Sequence, residues 1–110
     1  MLAAAFTAIA LVISPTSSTA ERERDFIYCT GFDASSNHQY YSAVFAGDYL
    51  QNQQHAQRFT AHLRGRYGAD LPTSFCFYEE RRGDAQAARD NAAALKRTEG
   101  RRVIYTDWVG

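Results

Sequence analysis

Phe26-Ile27-Tyr28-Cys29-Thr30-Gly31, taken with Ser74-Phe75-Cys76-Phe77-Tyr78-Glu79, decides the fold. Both are short runs of aromatic and β-branched residues, the composition of strands. Each carries one cysteine, and the chain has no others. Pairing Cys29 with Cys76 would staple the first strand of a small sheet to a later one. The loop so closed has 46 intervening residues, and chain entropy credits such a closure with about 4 kcal/mol. The alternative is two reduced, buried cysteines acting as small hydrophobes.

Export would permit the bond. Leu2 to Ile13 is an almost unbroken apolar run, followed by Ser14-Pro15, a Ser/Thr stretch and Ser18-Thr19-Ala20. That order matches a signal peptide over residues 1–20 with a small-x-small cleavage site. The run is shorter than the roughly 20 residues that span a bilayer, so no stable membrane insertion is expected after cleavage. No Lys or Arg precedes it, an atypical feature that a start further upstream would explain. The expected product is one periplasmic or secreted domain, residues 21–110, small enough for its stability to be marginal without a staple.

Outward from the two cysteine strands, Asp25 to Phe32 reads as strand one. Asp33 to His38 is a turn, and Gln39 to Phe45 is strand two. Asp48 opens a first helix, with Gln51 completing a capping-box pattern. Its apolar stripe is Tyr49, Ala56, Phe59, Leu63 and Tyr67, and Gly68 is its stop. Ser74 to Glu79 is strand three. Asp84 caps a second helix with the inner stripe Ala85, Ala88, Ala92 and Leu95. Arg101 to Trp108 is strand four. The order ββαβαβ predicts an α+β two-layer sandwich, with a four-stranded mixed sheet and two helices on one face. Strand one would run against the other three at the sheet centre, in the order 2-1-3-4 or 2-1-4-3.

Strand alternation separates Phe26 and Tyr28 from Ile27 and Cys29, Phe75 and Phe77 from Cys76 and Tyr78, and Val103 and Tyr105 from Ile104 and Trp108. Both faces are aromatic, yet only two helices are available to cover them. One face is therefore expected to be partly open. Tyr28, Tyr40, Tyr78, Tyr105 and Trp108 are the candidate interaction residues. Such a patch marks an interaction surface, or else an ordinary sheet face with its tyrosine hydroxyls in water.

Charge and motifs narrow the function classes. Twelve basic and 12 acidic residues give zero net charge, against the positive surplus that nucleic-acid binding needs. No glycine-rich phosphate loop or dinucleotide fingerprint occurs, so no cofactor is expected. His55 and His62 stand seven apart on the first helix, about 10.5 Å along its axis, too far for one metal ion, and read as surface residues. His38, near Asp33, is a candidate base for a small envelope hydrolase, but no nucleophile accompanies it in the sequence. Ser35 and Ser36 suit a turn. The cysteines lie mid-strand and lack the Cys-x-x-Cys spacing of redox pairs.

The set Tyr28-Cys29, Tyr40-Tyr41-Ser42 with Phe45, Phe59 through Tyr67-Gly68, Cys76 and Thr106-Asp107-Trp108 resembles a group of small uncharacterised exported bacterial proteins. The resemblance implies a disulfide-bearing secreted domain and carries no catalytic residue. The expected role is a binding module that uses an aromatic sheet face, for itself or for an envelope protein. The alternative is an accessory domain for another envelope protein.

Overall fold

A computed structural model describes residues 25–110, so the expected signal peptide lies outside the described residues. The chain is an α+β fold with a mixed five-stranded sheet. Strand β1 spans Asp25–Asp33, β2 His38–Tyr41, β3 Phe45–Gly47, β4 Phe75–Glu79 and β5 Arg102–Tyr105. A 3-10 turn over Tyr49–Gln51 leads into helix α1, Asn52–Tyr67, and helix α2 spans Arg82–Thr98.

β1 is central and antiparallel to three strands: β2 and β3 share one of its edges, and β4 takes the other. β5 pairs with β2 in parallel. The strand directions are those expected, but the order is not. With both edges of β1 occupied, the last strand joins the outside of β2, so β4 and β5 end at opposite sides of the sheet.

That order also corrects the layering. The β3-α1-β4 connection crosses β1 one way, and β4-α2-β5 crosses back. Two crossovers of the same hand moving in opposite directions must use opposite faces. α1 accordingly packs on the face of Ile27, Cys29, Tyr40 and Cys76 through Ala56, Phe59 and Leu63. α2 packs on the face of Tyr28 and Tyr41 through Ala85 and Ala93. The sheet is sandwiched between the helices, giving three layers instead of the expected two.

The expected second strand is broken into β2 and β3 by a bulge. Partner numbers sum to 71 along β1–β2, as in Thr30↔Tyr41, and to 72 along β1–β3, as in Ile27↔Phe45. One extra residue therefore lies between them, and beyond it every side chain changes face. Plain alternation would put Phe45 with Tyr41; the bulge puts Phe45 in the α1 core and Val44 in the α2 core. Fully buried Ser42 holds the bulge. Its Oγ accepts from the Cys29 amide at 2.8 Å, and its own amide donates to the Cys29 carbonyl at 2.9 Å.

The helix ends follow local chemistry in part. The Asp48 carboxylate accepts from the Leu50 amide at 2.9 Å, but caps the 3-10 turn and not α1 itself. Gly68 ends α1 in the left-handed conformation, φ 63°, where a Cβ is disfavoured. α2 starts at Arg82, so Asp84 sits within the first turn, where its charge complements the helix dipole. Leu95, expected inside, is exposed; the inner face runs through Ala85, Ala88, Ala92 and Ala93.

Candidate functional site: an apolar cleft beside α2

β4 and β5 lie at opposite edges, so α2 leaves over the Glu79 end of β4 and does not return to the Phe75 end. Its inner face is alanine, which brings the helix close to the sheet and lays no bulky apolar side chain over Phe75 and Phe77. The uncovered corner is a cleft of about 650 Å³. Tyr28, Thr30, Phe32, Phe75 and Phe77 form its sheet side. Phe75 is 62 % exposed and Phe77 49 %. Tyr28 lies under Phe77, with ring centroids 5.4 Å apart. Burial, and then the neighbouring Tyr41 and Glu79, push the Tyr28 phenol above its usual range, so it stays neutral at physiological pH.

Two polar walls frame the apolar floor. On the β5 side stand Gln39, Lys96 and Arg101. The Arg101 guanidinium lies 3.9 Å from the Phe32 ring centroid and donates to Gln39 Oε1 at 2.7 Å. Gln39 donates in turn to Thr30 Oγ1 at 2.7 Å, and Thr30 to the Tyr40 carbonyl at 2.8 Å. On the β4 side stand Ala34, Asp70, Pro72 and Thr73. Asp33 ties this wall together. Its Oδ1 accepts from the Ser35 amide and hydroxyl at 3.0 and 2.7 Å, and its Oδ2 from the Asp70 amide at 3.1 Å. The Ser35 hydroxyl, and then the Asp70 amide, lower the Asp33 carboxyl to about 2.

The five aromatics singled out from sequence do not form one surface. Tyr28 and Tyr105 face α2, whereas Tyr40, Tyr78 and Trp108 belong to the α1 side. Tyr28 and Tyr40 are buried; Tyr78 and Tyr105 are exposed. Tyr78 is stacked by Tyr49, with ring centroids 4.0 Å apart. Trp108 locks the core against Phe45 and Phe59, at 5.6 and 5.1 Å. Tyr105 meets α2 through Asp90, whose carboxylate accepts from its hydroxyl at 3.1 Å. Of the five, only Tyr28 lines the cleft. Sequence reasoning passed over Phe75 and Phe77, although their alternation with Cys76 was the available signal. What it lacked was the placement of β4 at an edge beyond the reach of α2.

Cys29 and Cys76 are direct partners in the β1–β4 register, with their sulfurs at disulfide distance. His38 lies opposite Asp33 in the β1–β2 register, but its Nδ1 is 3.4 Å from the Tyr40 hydroxyl, while the Asp33 carboxylate is taken by Ser35 and Asp70. No catalytic dyad forms there. His55, read from sequence as a surface residue, is buried against Phe45 with ring centroids 5.3 Å apart. Among the described residues no three His, Cys, Asp or Glu side chains converge as a metal site would require, and no helix is long and apolar enough to cross a membrane. No family model, curated protein or solved structure matches the chain.

Proposed function

We propose that the protein is an exported interaction module that binds through the part of its sheet left open beside α2. The observation that carries this reading is the pair Phe75 and Phe77, two large apolar side chains half or more exposed around a cleft of about 650 Å³. A cleft of that size, apolar with a few convergent polar groups, is what ligand sites use. Leaving such rings in water forfeits about 25 cal/mol for each Å² of apolar surface left unburied, and occupation would recover it. The Cys29–Cys76 staple lies within the β1–β4 register and holds those two strands together, so the floor is preformed. Export accords with the apolar leader and the cysteine pair.

Small apolar probes titrated into the isotope-labelled chain test the reading by amide and methyl NMR. Shifts should cluster on Tyr28, Phe75, Phe77 and Ala92, and should vanish in Phe77→Ser with little change in melting temperature. Shifts scattered over the surface, or none, would overturn it.

A further inference from the structure

We infer that the cleft beside α2 takes an amphipathic carboxylate, with its anionic group between Lys96 and Arg101 and its apolar body on Phe75, Phe77 and Tyr28. The inference rests on the binding-module reading and adds the ligand class. Its ground is the division of the cleft into a cationic wall and an apolar floor.

Arg101 is held for such a task. Stacking on Phe32 and the bond to Gln39 fix the plane of its guanidinium. Only one of its five N–H donors is used by Gln39, and the fork matches a carboxylate in two-point geometry. Lys96 comes to the same wall from α2. The acidic groups nearby are Glu99, with Oε1 3.5 Å from Lys96 Nζ and 3.9 Å from Arg101 Nε, and on the opposite wall Asp70 with Asp33, whose carboxylate accepts from the Asp70 amide. Glu99 alone against two cations leaves one positive charge at that end. At 3.5 and 3.9 Å its contacts are looser than a charge-assisted bond of 2.7–2.9 Å, so an incoming carboxylate competes with it on favourable terms. The Leu95, Lys96 and Arg97 carbonyls near the end of α2, which would repel an anion, are engaged by the Glu99, Gly100 and Arg101 amides and the Thr98 hydroxyl. Asp70 disfavours an anion at the other wall and so sets the ligand's orientation.

The matched probes are decanoate, decanol and decyltrimethylammonium, titrated into the purified chain and followed by NMR, with sedimentation velocity on the same samples. Decanoate should bind at least tenfold tighter than decanol. Arg101→Gln and Lys96→Gln should each remove most of that advantage, weakening decanoate far more than decanol. Phe77→Ser should weaken both. Decanol or the cation binding at the cleft as tightly as decanoate would overturn the carboxylate assignment and leave the binding-module reading standing. No probe at the cleft would remove both. A dimer that Phe77→Ser dissociates would show the face taken by a second copy of the chain, which also overturns the carboxylate assignment.

Discussion

Cys29 and Cys76 stand directly opposite each other across β1 and β4, facing α1. The link joins the central strand to an edge strand that has no other strand partner among the described residues. Chain entropy assigns such a loop about 4 kcal/mol, a large share of the 5–15 kcal/mol typical of a domain. Reduction, or the paired change Cys29→Ala and Cys76→Ala, should lower stability by about 2–5 kcal/mol. Urea titrations with and without reductant measure this, and equal midpoints would refute it. Because Phe75 and Phe77 ride on β4, amide exchange at the cleft floor should rise first.

Ser42→Ala should cost about 1–3 kcal/mol, since it leaves the buried Cys29 amide without an acceptor. Ser42→Thr keeps the hydroxyl but adds a methyl group at a fully buried site, so it tests whether the hydrogen bond or the space is limiting. Thermal or urea unfolding of the two variants separates these effects.

Asp33 makes the fold sensitive to acid. Its carboxyl is lowered in the folded chain to about 2, against an ordinary value near 3.9 when unfolded. Its contribution is therefore complete above pH ~4 and is lost as pH falls towards 2. The difference in urea midpoint between the wild-type chain and Asp33→Asn should be constant above that range and shrink within it. Exchange at the Ser35 and Asp70 amides should accelerate together, because one carboxylate holds both. A difference independent of pH would show that the carboxyl is not depressed.

His55 is a stabilisation target. Both ring nitrogens are buried with no hydrogen-bond partner among the described residues, and Phe45 packs against the ring. An unsatisfied buried polar group costs about 1–3 kcal/mol. His55→Leu removes it at little change in volume and should raise stability by about 1 kcal/mol. A urea midpoint that falls would show that the imidazole contributes a contact worth more than its desolvation.

The identity of the elements was legible because each rests on local signals. Ala56, Phe59 and Leu63 have helical spacing and became the buried stripe of α1; Gly68 ended that helix as its conformational freedom allows. The α+β class and the central, opposed direction of β1 followed from element order. Leu95 and His55 were misplaced because a helix's inner face depends on which neighbour it meets, not on spacing alone. Phe45 was assigned to a continuous strand because nothing in Ser42-Ala43-Val44 announces a bulge; only pairing with β1 on both sides of it does.

The amino-acid sequence alone determined the succession of strand-forming and helix-forming segments though not where a strand breaks, that the two cysteines lie on β strands able to pair, and that there is more aromatic strand surface than two helices can hide. Tertiary structure alone decided which aromatics stay uncovered. That outcome depends on strand order: once β2, β3 and β4 fill both edges of β1, α2 must cross back over the far face to reach β5. Phe75 and Phe77 are left at the corner it misses, with Arg101 and Lys96 beside them.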